Sequence, residues 1–395
     1  MVLGGNDIGW RCEYPALAVG ARTEIIPEDY VNTLLWYPHD RGPFRWFLRA
    51  HHLDGRLTLC MNNRKWKQLC KTREQVPYTT LVCPDHQGTA IWVLPCLSRA
   101  VMAKAMRTQM GVRTLAEVDD NYLANPKHSL FLRAAEWNRH NEEQHLKAMC
   151  SMNGIVFSTA RLRDMYAKKI KEFFGKLPHL EYHVCHNNVP SDCWPTRIER
   201  DGPVRVGWMG SPSHVWDVDL AWASLMHAKN LGAETWMIGY DPTENPFEQT
   251  NPHNKDVPRH PRSLEKIEAW QRVGFKHQPW RIPAKYERLP LPLDIGLCPL
   301  LTNGMTLGKS DVKFIEYTIS GAATIAMNNP VYNKTIVHGE TGLLVGSPQE
   351  MLEATELLIK DEKLRERLVA NAQQYVREER SEKQLKEEWE TAING

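Results

Sequence analysis

Short apolar runs alternate along the first half of the chain with stretches of helical periodicity, the pattern of an α/β sheet carrying helices on its faces. Runs at 33–37, 80–83, 90–94, 114–118, 154–158 and 182–186 predict strands, and 98–110 and 129–149 predict helices between them. Residues 190–203 contain three prolines and five charged residues and read as a linker. A second alternating series begins at Val204. VRVGWMGS (204–211) reads as a buried strand ending in a Gly/Ser turn, ETWMIGYDP (234–242) as the next strand, and DIGLCPL (294–300) and AATIAM (322–327) as two more. Between them the polar, proline-rich residues 241–263 predict a surface loop, and GKSDVKFIEYTISG (308–321) opens a helix. A charged amphipathic helix is expected from 348 to 393. The fold class is therefore α/β, with two doubly wound, Rossmann-like sheets facing each other across a cleft. The expected domains are 1–190 and 204–375, a linker at 191–203, and a C-terminal helix at 376–395 packing back on the N-terminal domain. Such sheets bind ligands at the carboxyl ends of their strands.

Composition narrows the class. A chain of 395 residues exceeds what one core usually organises, and 42% hydrophobic with 24% charged residues is the profile of a folded globular protein. No stretch approaches the ~18 apolar residues of a membrane span, and residues 1–9 have neither a basic flank nor an apolar run, so a cytoplasmic location is expected. Nine cysteines, odd in number and without a C-x-x-C pair, fit free thiols in a reducing compartment. The net charge of +2 conceals an asymmetry: between Arg41 and Arg113 thirteen Lys and Arg face three acids, leaving the rest of the chain acidic. A basic stretch of this kind points to a polyanionic partner, nucleic acid or an anionic membrane surface, or to a solvated face with dispersed charges.

GKSDVKFIEYTISG carries the densest chemistry. Its helix is expected to begin near Ser310 as N-cap with Asp311 in the first turn, offering backbone N–H groups and the positive helix end to an anion. Lys309 and Lys313 add two cations suited to a diphosphate. Glu316, three residues beyond Lys313, is placed to accept hydrogen bonds from ribose hydroxyls. An ordinary capped helix with an i, i+3 ion pair is the alternative for this segment alone.

From Val204 to about Val376, five segments occur in an order and spacing that resemble the donor domain of retaining GT-B glycosyltransferases: VRVGWMGS, ETWMIGYDP, DIGLCPL, GKSDVKFIEYTISG and HGETGLLV (338–345). The resemblance implies that Gly210 and Ser211 approach the donor phosphates, that Gly239 closes the next strand beside them, and that the helix with Lys309, Ser310, Asp311, Lys313 and Glu316 supplies phosphate and ribose contacts. Glu316 matches the second glutamate of the family's E-x7-E element, whereas Gly308 stands where the first would be, and SPSHVWDVD (211–219) replaces the Arg and Lys that commonly follow the first strand. The N-terminal half resembles the family through NDIGWRCEYPALAVGA (6–21) and AEVDDNYL (116–123), which places Asp119 and Asp120 at a strand end as catalytic candidates, to orient a sugar hydroxyl or deprotonate the acceptor. A helix-capping turn of Asp120 and Asn121 is the alternative. The resemblance further implies retention of configuration without a metal or other cofactor, with a nucleotide-sugar, foremost a UDP-sugar, as substrate.

Two patterns resemble metal sites but are read otherwise. Asp217-Val-Asp219 follows the Gly/Ser turn and is expected to open a helix, and His183, Cys185, His186 and Cys193 match no standard zinc spacing. In the family fold the N-terminal domain binds the acceptor. There Arg45, Trp46, Arg49, Lys65, Trp66 and Lys67 interleave cations with indoles, which suits a nucleic-acid track. DNA carrying a hydroxymethylated pyrimidine, as some phages make, is the leading acceptor expectation. The rivals are a cell-envelope lipid or glycan, with NRKWKQLCK (63–71) on an anionic membrane; a protein acceptor; and a non-catalytic nucleotide- or nucleic-acid-binding protein, motivated by Gly308.

Overall fold

The computed structural model describes residues 50–51, 89–93, 113–124, 139–188, 194, 202–211, 214–243, 264–279 and 290–395. The strands expected at 33–37 and 80–83 and the helix expected at 98–110 lie outside the described residues. Contacts divide the chain into two units: Met1–Asp120 with Asn138–Pro190 and Glu382–Gly395, and Asn121–Trp137 with Ser191–Ser381.

The first unit contains a sheet of β1 (Ala50–His51), β2 (Thr89–Val93), β3 (Arg113–Val118), β4 (Gly154–Phe157) and β5 (Glu181–Val184) in that order. β1 is antiparallel to β2 and the others are parallel. Leu115, Ala116 and Val118 of β3 and Ile155, Val156 and Phe157 of β4 have no solvent exposure, as near-continuous apolar runs in a parallel sheet require. Helix α1 (Arg139–Cys150) precedes β4, and α2 (Ala160–Phe174) follows it. The Thr159 hydroxyl caps α2 by accepting from the Leu162 N–H at 3.1 Å, and Gly175 ends it at φ 72°.

The second unit is built on β6 (Arg205–Gly210), α3 (Trp222–Asn230), β7 (Glu234–Gly239), α4 (Leu264–Val273), β8 (Lys276–Pro279), β9 (Ile295–Cys298), α5 (Val312–Ile319), β10 (Ala323–Met327) and β11 (Leu343–Val345). All its strands are parallel, in the order β11-β10-β9-β6-β7-β8. The chain thus winds outward in one direction through β7 and β8 and in the other through β9, β10 and β11. The strand order reverses between β6 and β9, the switch point where ligands of such sheets bind. β8, with the sequence KHQP, was not expected: an edge strand with three exposed residues shows no apolar run.

At the switch point the β6–β9 ladder is short, pairing Val206 with Ile295 and Gly207 with Gly296. Past it the buried Tyr317 hydroxyl takes over, accepting from the Met209 N–H at 3.1 Å and donating to the Leu297 carbonyl at 3.1 Å. A Cβ on Gly296 would overlap the Tyr317 ring, so this glycine is what lets α5 approach the sheet. Helix α5 closes in a Schellman motif, with Gly321 at φ 76°, its N–H on the Thr318 carbonyl, and the Ala322 N–H on the Tyr317 carbonyl.

The single helix expected over 348–393 is three: α6 (Pro348–Lys360), α7 (Glu362–Glu379) and α8 (Glu382–Asn394). Asp361 ends α6 and caps α7, its carboxylate accepting from the Leu364 N–H at 2.9 Å. Helix α8 belongs to the first unit, where Leu385, Trp389 and Ala392 are buried. Arg113 Nε donates to the Ala392 carbonyl at 3.1 Å, and the Glu388 carboxylate accepts from the His186 N–H at 2.7 Å.

Replacing Tyr317 by Phe removes the bridge between β6 and β9 and leaves a buried N–H without that acceptor. A loss of about 1–3 kcal/mol is expected, read as a lower urea midpoint at unchanged slope.

Candidate functional site

Strand β6 delivers its end to the switch point through a steric arrangement local to the strand. Trp208 and Gly210 point to the same face, two residues apart, and a Cβ on Gly210 would overlap the Trp208 indole. The glycine thereby makes room for a buried aromatic platform. Over that indole stands Lys313 of α5, its Nζ 5.5 Å from the ring centroid, and His214 packs edge-on against it with centroids 6.3 Å apart.

His214 and Asp217 are both buried, on the turn that follows β6. Nδ1 of His214 lies 2.6 Å from one Asp217 oxygen, and the other oxygen accepts from the Leu301 N–H at 2.8 Å. Asp217 therefore ties the β6 turn to the segment after β9. With the Nδ1 proton directed at the carboxylate, Nε2 faces the Lys313 ammonium at 3.4 Å. Burial, reinforced by Lys313 and Lys309 and opposed by Asp217, pushes the His214 pKa down to about 4. Burial and the neighbouring Lys309 also lower that of Lys313. Two lysines and a neutral imidazole thus converge at the switch point. The sequence pattern singles out Asp217 only as half of a D-x-D pair and His214 not at all, although a His-x-x-Asp spacing directly after a strand puts both side chains on one face of a turn.

The start of α5 differs from expectation. Asp311, not Ser310, is the N-cap, and its side chain caps none of the first-turn amides. The buried Asp311 carboxylate instead accepts from the Thr335 hydroxyl at 2.6 Å and pairs with Arg380 at 2.5 Å. This pairing offsets a negative charge that would otherwise repel an anion at the helix start. Glu316 is 4% exposed and so faces inward. Gly210 pairs in register with Gly239, which has φ 92°, and the Tyr240 N–H returns to the Gly210 carbonyl at 2.8 Å. Ser211 accepts the His214 N–H through its carbonyl at 3.1 Å.

The second unit therefore sets Gly210 and Ser211 beside Gly239, and Lys309 and Glu316 near Lys313, with Ser310 half-buried before α5 and the Asp311 carboxylate turned to Arg380. Asp119 and Asp120 belong to the first unit, half-buried after β3. Their carbonyls accept from Ser158 at 3.2 Å and from the Tyr166 hydroxyl at 3.4 Å. Of the alternative turn of Asp120 and Asn121, Asn121 supplies a side-chain bond, its Oδ1 accepting from the Leu123 N–H at 3.2 Å. Arg45, Trp46, Arg49, Lys65, Trp66 and Lys67 lie outside the described residues, as do residues 6–21.

The Asp217-Val-Asp219 carboxylates diverge: Asp219 accepts from the Trp270 indole at 3.0 Å and from Lys266 at 2.7 Å. Among the described residues no cluster of three or more His, Cys, Asp and Glu could hold a metal.

No family model and no curated protein sequence matches the chain. Solved structures do. Anabaena Alr3699/HepE in complex with UDP-glucose superposes with a TM-score of 0.54 at 13% identity, over 83% of this chain and 88% of that one. S. aureus TarM, in a complex containing UDP, gives 0.52 at 12% identity over 77% of this chain and 55% of that one. Pneumococcal O-GlcNAc transferase GtfA with UDP and GlcNAc gives 0.50 at 12% over 87% and 62%. The chain spans less than two thirds of the latter two. It has the GT-B fold.

Identities this low establish the GT-B architecture and leave activity to the site. Among the described residues of this GT-B chain no helix is long and apolar enough to cross a membrane.

Two expectations concern stability. Arg380→Met strands the Asp311 carboxylate beside Thr335 and should cost about 3–5 kcal/mol in urea unfolding, with part restored by adding Asp311→Asn. His214 binds its proton near pH 4 when folded and near its ordinary value of 6.5 when unfolded. Its contribution is complete above pH 6.5 and lost as pH falls toward 4. On the order of 3 kcal/mol of acid destabilisation should disappear from the pH–stability curve of His214→Gln.

Proposed function

We propose that the chain is a retaining glycosyltransferase that binds the diphosphate of a UDP-sugar at the carboxyl end of β6 and the start of α5. The observation that carries this reading is the convergence of Lys309 and Lys313 at the switch point of a doubly wound sheet. A lysine whose charged form is penalised by burial and by a second lysine is stabilised by an arriving polyanion. The UDP and UDP-glucose named for the structures above support the same ligand class.

The reaction moves the sugar from the diphosphate to an acceptor hydroxyl. The bond from C1 to the diphosphate oxygen breaks, the diphosphate leaves with the electron pair, the acceptor oxygen bonds to C1, and the acceptor proton is released. Charge develops on the departing diphosphate, where Lys309, Lys313 and the N-terminus of α5 meet it, so neither metal nor cofactor is required by this scheme. Glu316 serves the ribose. Asp119 and Asp120, at the carboxyl end of β3, are the carboxylates we assign to the acceptor side. The net-basic stretch from Arg41 to Arg113 supports a polyanionic acceptor, and we propose DNA carrying a hydroxymethylated pyrimidine.

The test is release of nucleoside diphosphate from UDP-, GDP- and ADP-sugars, with and without DNA containing hydroxymethylcytosine or hydroxymethyluracil. Turnover with a UDP-sugar, stimulated by the modified DNA and reduced about 100-fold or more in Lys313→Met, is expected; Glu316→Ala should raise KM. Turnover indifferent to DNA moves the acceptor to lipid, glycan or protein. Silence with every donor overturns the enzymatic reading in favour of a binding protein.

A further inference from the structure

His214 is a buried imidazole with a defined tautomer and a cation in front of its unprotonated nitrogen. Asp217 accepts the hydrogen bond of Nδ1–H at 2.6 Å, and Nε2 is 3.4 Å from Lys313 Nζ. Among the described residues the ring also meets the Trp208 indole and, farther off, Lys309. Among the described residues, the charged groups that act on the ring are Lys313 and Lys309, which disfavour a second proton, and Asp217, which favours it. A ligand that brings two negative charges to Lys309 and Lys313 reverses the balance. It cancels the lysines' repulsion while Asp217 continues to favour the imidazolium.

We propose that His214 is a ligand-induced cation: neutral in the empty site, it takes one proton from solvent at Nε2 when a diphosphate is held by Lys309 and Lys313. Diphosphate binding and proton uptake are then linked. The imidazolium adds a third positive charge and an N–H donor to the site when the diphosphate arrives, and the empty protein is spared an imidazolium facing the Lys313 ammonium with Lys309 nearby. The low pKa of His214 in the empty protein fits this, since it leaves the ring unprotonated across the neutral range. The same linkage operates in reverse on release, when loss of the diphosphate expels the proton. The proposal deepens the donor-site reading and rests on it only for the identity of the diphosphate.

The experiment follows the His214 imidazole directly by ¹⁵N–¹H NMR of the full chain, its signals assigned by their absence in His214→Gln. Three titrations from pH 4 to 8 are compared: protein alone, with saturating UDP-glucose, and with saturating inorganic pyrophosphate. The expected result is a His214 midpoint at least two pH units higher with either ligand, and an Nδ1-protonated neutral tautomer without one. UDP-glucose is useful because its diphosphate does not itself titrate near neutrality. Its affinity should strengthen by up to about tenfold per pH unit on acidification below the ligand-bound midpoint's upper side, as one-proton linkage requires, and this slope should vanish in His214→Gln. Asp217→Asn should lower the ligand-bound midpoint while leaving the neutral-pH circular dichroism unchanged. A shift with pyrophosphate but no binding of UDP-glucose upholds the proton-linked site and removes the UDP-sugar reading. A midpoint unmoved at saturation, persistence of the affinity slope in His214→Gln, or failure of both ligands to bind overturns the proposal.

Discussion

Beyond Gly207 and Gly296 the ladder between the two central strands stops, and the Tyr317 hydroxyl is what keeps β6 and β9 together while letting them part. Burial raises the Tyr317 pKa well above its ordinary value, so the phenol stays an O–H donor throughout. Because Tyr317 sits on α5, the bond that spans the strands also sets the depth of the helix that carries Lys313 and Glu316. Gly296 removes the side chain that would oppose this approach. The opening between the strands and the cations beside it are therefore set by one side chain, and a change at either glycine or phenol would be felt at both.

Charge is handled in the same economical way. Around the start of α5 two acids might be expected to repel a phosphate, yet each is committed elsewhere: Asp311 to Arg380 and Thr335, Asp217 to His214 and the Leu301 N–H. Beside Lys313 there remain Lys309, the neutral His214 ring and one carboxylate, Glu316. The pairs that hold these carboxylates are the same ones that hold the turn after β6 and the start of α5 in place.

The sheet of the second unit was legible because parallel strands buried on both faces read as apolar runs, as in VRVGWMGS and DIGLCPL. β8 was not, since its KHQP sequence lies at an edge and contributes little to the core. The breaks in the C-terminal helix were readable in part from Asp361, an N-cap type preceding Glu362. The role of Asp311 was hidden for a different reason: its partner Arg380 lies 69 positions away, and no local pattern announces a long-range ion pair. Gly210 was singled out as a phosphate-loop glycine, while the spacing to Trp208, which shares its face, held a second explanation for its lack of a side chain. His214 lay inside a segment noted for the Arg and Lys it lacks, and its chemistry emerges only when Lys313, 99 positions on, is brought to face it.

Helix α8 completes the core of the first unit although it is encoded after the whole of the second. During synthesis β5 is made long before α8, which packs on it and buries Leu385, Trp389 and Ala392, exists. Arg113 and His186 wait as long for the carbonyl and carboxylate that receive their N–H groups. The first unit therefore cannot complete its core until the second unit has been made. It also resists transfer between genes as a contiguous cassette, because any cut that keeps residues 1–190 together discards the helix that finishes them.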